Sequence, residues 1–525
     1  MTTLRTRWAV VLAVTVLLRV PALIHPSAID DEETYAVVAT EMVDGGLPYA
    51  DAIERKPPLL FWTYAAIFAV AGKYNWVALH VVGLAWVIAT MWALAAVTRR
   101  LAGPSAGLAA ALLYGMYQPW ATFKNLPLNG EVLMNLPIAL ALLVAFRPSA
   151  SRLRPELLGA GALLGAAFLL KQPAAVAAVP IGVYLWLPGY RAARRLGPWH
   201  SVLHAASLTV GFWGAIGAAA LVLSRQGMLA DAYFWTITHH DVPHGPTDPL
   251  FWQRGIETGL AFLAVCAPLV IGAAATVRRG AARAGEWSTR RPEFATLVGL
   301  LLMSAVGTAA SGRFYPHYFI QLLVPLAILG GPALAPIFER PGALQGASAR
   351  SAAEPALQRR DRRVLGIPRE ALLVWLGLTV AGFFTSYSIG LAPHRTPTQV
   401  GRYLLEHSEP GDRMFVWGHY PSIYLDARRR PASRYIATFP LTGYVFGSPL
   451  SRDPTYDTSH RIVPGAWQNL VQDFAEHPPA FIVDVEGVQP VPRYPLSMFP
   501  ILHEMVTQRY EPVYRGAEGM VYKRK

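Results

Sequence analysis

Asp30-Asp31-Glu32-Glu33 sets four carboxylates in a row, with Tyr35 just beyond, and Lys56 stands directly before Pro57-Pro58. A carboxylate can take a proton from an attacking hydroxyl, and an ammonium can neutralise a phosphate. The acidic block follows the apolar stretch Trp8 to Ile24 without a spacer domain. Carboxylates are costly to hold beside lipid unless something uses them. The block therefore points to an active site at a membrane–water boundary. A second use is open: Asp30 or Asp31 can cap a helix starting near Glu33, with Asp30 and Glu33 spaced as in a capping box. One cap does not require four acids. Lys56-Pro57-Pro58 likewise suits a rigid turn, with the lysine stem snorkelling to headgroups.

The rest of the chain must place this block. It has 525 residues, 53% hydrophobic and 15% charged, against about a quarter charged in soluble domains. Apolar runs of about 18–22 residues recur, which predicts a polytopic α-helical membrane protein. The formal net charge of +13 fits basic cytoplasmic loops. No zinc-knuckle or nucleic-acid-binding pattern accompanies it, so no nucleic-acid partner is expected. Cys266 is the only cysteine and lies in an apolar run, which excludes a disulfide and a cysteine metal site. Arg5 and Arg7 precede the first apolar stretch and no small-residue cleavage site follows, as in an uncleaved signal anchor.

Eleven spans are expected, at 8–25, 76–98, 104–120, 129–146, 155–170, 172–188, 202–224, 256–277, 293–311, 317–337 and 370–391. The apolar stretch 59–72 is only about 14 residues long and suits an interfacial helix. With Arg5 and Arg7 inside, the cytoplasmic loops hold Arg99-Arg100, Arg147/Arg152/Arg154, Arg191/Arg194/Arg195, Arg278/Arg279/Arg283/Arg290/Arg291 and Arg359/Arg360/Arg362/Arg363. That is the positive-inside distribution; counting 59–72 as a span would invert it. The prediction is a transmembrane domain over 1–392 and an extracytoplasmic α/β domain over 393–525. The latter has helical stretches Thr396–His407 and Ala466–Glu476, strand-like runs Met414–Trp417 and Phe481–Val485, and a hairpin of Tyr510–Tyr514 with Gly519–Lys523.

This topology brings further polar residues to the outer face: Lys124, Asn125, Asn129 and Glu131, then Lys171-Gln172, then Arg225 and His239-His240-Asp241 with His244, then Arg313 and His317. Acids, bases and cations together beside a membrane suit a lipid-linked, phosphorylated substrate. Glu131 can also serve as a helix-start acid, and Arg19 within the first span can snorkel. His239-His240-Asp241 could bind a divalent metal, yet adjacent histidines point apart and a solvated loop accounts for them. Arg313 among aromatics suits a phosphate or sugar clamp. Trp62, Tyr64, Trp76, Tyr114, Tyr117 and Trp120 read as an interfacial belt.

Asp31-Glu32-x-x-Tyr35, Gly46-Leu47-Pro48-Tyr49-x-Asp51 and Lys56-Pro57-Pro58-Leu59 resemble bacterial GT-C glycosyltransferases related to protein O-mannosyltransferases and lipid A aminoarabinose transferases. Arg313-Phe-Tyr-Pro-His317-Tyr-Phe with Gln321 and Pro325 is similar to a late motif of the bacterial members. The likeness covers residues 1 to about 390. It implies a GT-C-like fold and inverting sugar transfer from a polyprenyl-phosphate donor on the outer face. In such enzymes the first-loop aspartate is the general base or orients the acceptor, a role that falls on Asp31, with Glu32 beside it. The lysine before Pro-Pro binds the donor phosphate, which carries to Lys56. Tyr35, Glu131, His240, Arg313 and His317 complete the candidate substrate contacts. No metal or other cofactor is implied for this branch. Asp30 and Glu33 are extra acids here, so the choice of base stays open.

The chemistry suits the residues on its own terms. A phosphate leaving group is already acidic and needs no general acid, unlike glycoside hydrolysis. The expected partners are a polyprenyl-phosphate sugar, a glycan, lipid or protein acceptor, and membrane lipid, in a bacterial inner membrane. The rival reading is a transporter or lipid flippase. Such proteins hold ionisable groups near the midplane in broken helices, whereas these lie in outer loops.

Overall fold

A computed structural model of the chain describes residues 4–24, 30–119, 127–148, 153–239, 245–281, 292–338, 363–364, 367–388, 397–444, 457–488 and 494–525. The chain divides into two compact units: Met1–Ser27 with His80–Ala219 and Pro246–Pro393, and Ala28–Leu79 with Ala220–Gly245 and His394–Lys525.

The first unit is helical. Its centre is Pro104–Tyr117 and Leu323–Leu334, both almost wholly buried, with Gly130–Ala145 nearby in burial. Apolar side chains such as Val10, Trp92, Trp213, Leu302 and Leu378 are exposed along the other helices. In a soluble protein such surfaces would be liabilities; against lipid they are the expected exterior. Five helices among the described residues are long and apolar enough to cross a membrane: Leu4–Ile24, Trp76–Ala102, Pro198–Arg225, Pro292–Ala309 and Pro316–Phe338. A sixth counts if the pair Pro249–Val265 and Ala267–Arg279, bent by 88°, is one broken span.

Among the described residues, some of the eleven expected spans are broken or short in ways that hydropathy does not show. The run 256–277 is interrupted at Cys266. Gly130–Ala145 and Glu156–Leu170 have 16 and 15 residues, short of the about 20 that a bilayer asks for. Lys171 is extended, with φ −159° and ψ 123°, and the chain resumes as a 3₁₀ turn, Gln172–Ala177. The segment expected to lie at the interface is a 14-residue helix, Pro58–Ala71, opened by proline in its first turn and closed by Gly72 at φ +92°.

Four residues stand otherwise than expected. Arg19 is buried and donates to Gln118 Oε1, so it does not snorkel. Tyr64, Tyr114 and Tyr117 are buried rather than belt residues; the Asn135 amide donates to the Tyr114 hydroxyl at 3.2 Å. Trp120 lies outside the described residues.

The second unit holds a five-stranded sheet in the order Arg430–Pro431, Arg413–Trp417, Phe481–Asp484, Met520–Arg524, Tyr510–Arg515. The first three strands are parallel; Phe481–Asp484 and Met520–Arg524 are antiparallel, as is the final hairpin. Helix Gln399–His407 starts at Thr398, whose hydroxyl accepts from the Gly401 amide at 3.0 Å. Helix Ala466–Glu476 supplies Phe474, whose ring meets Phe415 at 5.1 Å. The Trp417 indole is fully buried and donates to the Tyr494 carbonyl at 3.0 Å. The same unit includes the helices Asp30–Val43 and Pro58–Ala71.

Candidate active site

In the second unit the acidic block forms the first turn of Asp30–Val43. Asp31 is half-buried, and Glu32 and Glu33 are buried. The side chain of Asp30, offered as a cap, lies outside the described residues. The Tyr64 hydroxyl donates to Glu32 Oε1 at 3.5 Å. The Tyr35 ring stands edge-on to Phe61 and Tyr64, with centroids 6.1 and 5.7 Å away, a favoured aromatic geometry.

Lys56 enters the same group. Its Nζ lies 5.9 Å from the Tyr35 ring centre and 3.2 Å from Glu54 Oε1. The Tyr49 hydroxyl donates to the Lys56 carbonyl at 2.7 Å. Tyr49 sits at φ +69°, a region that non-glycine residues rarely occupy. Its ring is buried against Phe61 at 5.9 Å, which offsets that strain. Burial and the Glu54 charge push the Tyr49 hydroxyl well above its ordinary range, so it remains a donor. Burial acts to raise the Glu54 carboxyl, but Lys56 and Arg55 outweigh it and hold the group below its ordinary value, with Asp31 opposing them. Asp31, Glu54 and Lys56 thus share one electrostatic neighbourhood.

The first unit gathers a second set. The Asn129 side chain caps Gly130–Ala145 by accepting from the Val132 amide at 3.1 Å, which puts Glu131 in the first turn. Lys171 Nζ is 2.7 Å from Glu131 Oε1, and both side chains are buried. His317 Nε2 is 3.9 Å from the same oxygen, and Lys171 Nζ is 5.5 Å from the Tyr318 ring centre. Glycine at 130 permits this: a Cβ there would stand 2.9 Å from the Leu170 carbonyl oxygen and from Lys171 Cδ. Arg313 is half-buried on a turn whose next residue, Phe314, has φ +49°. The Arg313 Nε has no hydrogen-bond partner among the described residues.

Of the candidates, Asp31, Glu32, Tyr35 and Lys56 come together, and Glu131 meets His317. His240, Asp241, His244, Lys124 and Asn125 lie outside the described residues. His239 stacks on Phe234, 5.3 Å away. Among the described residues no group of three or more His, Cys, Asp or Glu side chains is arranged to hold a metal ion. Glu54 is absent from the sequence-based candidates, and Tyr64 is there only as a belt residue. The run Glu54-Arg55-Lys56 was the available signal for Glu54; nothing local marked Tyr64. The sequence places Lys171 on the outer face, but its pairing with Glu131 is a tertiary fact.

Residues 55–213 match the family described as dolichyl-phosphate-mannose-protein mannosyltransferase. That stretch contains Lys56, Glu131 and Lys171. ArnT from Cupriavidus metallidurans bound to undecaprenyl phosphate is similar over 98% of this chain and 97% of its own, at 17% identity and a TM-score of 0.60. This chain has the GT-C glycosyltransferase fold. ArnT in the apo state gives 15% identity and a TM-score of 0.62, covering 99% and 98% of the two chains. The chain is also similar to the archaeal oligosaccharyltransferase AglB from Archaeoglobus fulgidus, in complex with an inhibitory peptide and a dolichol-phosphate. There the identity is 11% and the TM-score 0.53, over 99% of this chain and 74% of that one. No curated protein sequence matches.

Proposed function

We propose that the protein transfers a sugar from a polyprenyl-phosphate donor to an acceptor hydroxyl, at the extracytoplasmic face of a bacterial inner membrane. The observation that carries this reading is the meeting of Asp31-Glu32 and Lys56 on one aromatic scaffold of Tyr35, Phe61 and Tyr64. The resident lipids of the similar structures, undecaprenyl phosphate in ArnT and dolichol-phosphate in AglB, support a polyprenyl-phosphate donor.

The reaction then runs as one displacement. The acceptor oxygen attacks the anomeric carbon while Asp31 takes its proton, and the bond from that carbon to the phosphate oxygen breaks. Attack opposite the leaving group inverts the anomeric centre. Glu32, tied to Tyr64, supports the negative site beside Asp31. The Lys56 ammonium stabilises the departing phosphate, which needs no proton of its own. Tyr35 orients Lys56. Glu131, paired with Lys171, and Arg313 and His317 are assigned to substrate contacts on the first unit. Residues 1–392 form the membrane domain and 393–525 an extracytoplasmic one.

The test is transfer from labelled polyprenyl-phosphate sugars by purified protein. Asp31→Asn should lower kcat by about 10²–10⁴-fold while leaving undecaprenyl phosphate binding in place. Undiminished turnover by that variant removes Asp31 as the base.

A further inference from the structure

The stretch between the helices Asp30–Val43 and Pro58–Ala71 carries Glu54 and Lys56 and has no helix of its own. Its local bonds close turns within the stretch: the Gly46 amide donates to the Glu41 carbonyl at 2.8 Å, Leu47 N–H to Asp51 Oδ2 at 2.7 Å, the Asp51 amide to the Leu47 carbonyl at 3.0 Å and the Tyr49 hydroxyl to the Lys56 carbonyl at 2.7 Å. These bonds shape the loop but do not fasten it to the sheet of the same unit. Further constraints come from the C-terminal segment of the same unit.

There are three. Arg430 grips Glu41 in bidentate fashion, Nη2 to Oε2 at 2.7 Å and Nε to Oε1 at 3.0 Å. Glu41 is buried, and a buried carboxylate holds its place only when paired in good geometry. The Ile53 amide donates to the Arg434 carbonyl at 2.9 Å, next to Glu54. Arg434 is itself locked to Asp473: Nη2 and Nε reach Oδ1 at 2.7 and 3.0 Å, and its amide reaches Oδ2 at 2.9 Å. Finally, the Arg55 guanidinium lies 4.5 Å from the Phe439 ring centre, a cation–π contact. Trp235 and His239 meet that same ring at 6.2 and 6.3 Å. The anchors therefore fall on residues 41, 53 and 55, bracketing the loop up to the residue before Lys56.

We propose that the C-terminal α/β segment positions the Lys56 loop, with Arg430, Arg434 and Phe439 as positioning residues for the donor phosphate. This rests on the reading of Lys56 given above. It gives the C-terminal segment a part in catalysis without touching substrate. Misplacement of a binding group by about 1 Å can cost a factor of about 10², so modest loosening should be measurable.

The experiment compares full-length wild type with Arg430→Gln, Phe439→Leu, the conservative Phe439→Tyr, and the swap Glu41→Arg/Arg430→Glu. Amide hydrogen exchange over residues 47–57 is read without ligand, beside the thermal midpoint and the Kd for undecaprenyl phosphate. Arg430→Gln and Phe439→Leu should speed exchange in that window and weaken phosphate binding about tenfold or more. Phe439→Tyr should restore both, independently of whether the swap folds. Variants with faster exchange but wild-type Kd overturn the proposal. So does a loss of affinity that follows the thermal midpoint alone and is not recovered by Phe439→Tyr. Wild-type protein that does not bind undecaprenyl phosphate at all refutes the donor reading instead, which is a separate result from wild-type binding with unaltered variants.

Discussion

Glu131 is buried beside Lys171 at 2.7 Å, and neither charge has bulk water to fall back on. Removing one partner of such a pair leaves the other uncompensated, at a cost of about 3–5 kcal/mol. Lys171→Met should therefore lower stability by that amount in detergent, and Lys171→Met/Glu131→Gln should recover most of it; chemical unfolding of the two variants checks this. Equal losses in both would mean the pair contributes no coupling. At this scale the legible residues were those close together in the chain. Asp31, Glu32, Tyr35 and Lys56 form a compact motif, and acids beside an apolar run draw notice on cost alone. Tyr64 and Lys171 were not legible as partners, because the contacts that define them cross from one helix to another.

The helices Glu156–Leu170 and Pro198–Arg225 cross through glycines. A Cβ on Gly161 would lie 1.9 Å from the Leu208 carbonyl oxygen, and one on Gly211 1.9 Å from that of Leu158. Gly161 and Gly165 stand four apart, the small-residue spacing that lets membrane helices approach closely. Gly161→Ala should destabilise by about 1–3 kcal/mol through overpacking. Gly159→Ala, on the same helix with nothing within 4 Å, should be neutral or slightly stabilising through helix propensity. Thermal unfolding of both variants gives the comparison, and equal effects would argue against a tight crossing. The Lys171 break follows directly on this helix, so the crossing also bears on the Glu131 pair. Elements in the C-terminal segment were readable from pattern: helix Ala466–Glu476 appears with the expected limits, and both strands of the last hairpin are present. Span limits were less so. Hydropathy reports that a run is apolar, whereas a bend at Cys266 or an extended residue at Lys171 depends on what packs around it.

At the scale of the molecule, the single cysteine makes sidedness testable. Cys266 is buried, so a membrane-impermeant maleimide will report on introduced thiols. Glu409→Cys, exposed in the C-terminal segment, should label in intact spheroplasts, and Arg279→Cys, exposed at a basic helix end, only after permeabilisation. The reverse pattern would invert the topology and with it the proposed outer-face site. The sidedness under test rests on the positive-inside rule, which acts on composition alone. Apolar runs, the acidic block and the Lys56 motif were legible for the same reason: membrane burial and motif chemistry depend on residue type and short spacing. The sequence by itself determined a helical membrane chain with a GT-C-like fold and an α/β segment near its end. Only the tertiary structure decided that Glu54 and Tyr64 join the Lys56 group, that Lys171 neutralises Glu131, and that residues 28–79 share a unit with 394–525. Those outcomes depend on side-chain geometry between segments far apart in the chain, where a pairing exists only if backbone and burial bring the two groups within a few ångströms.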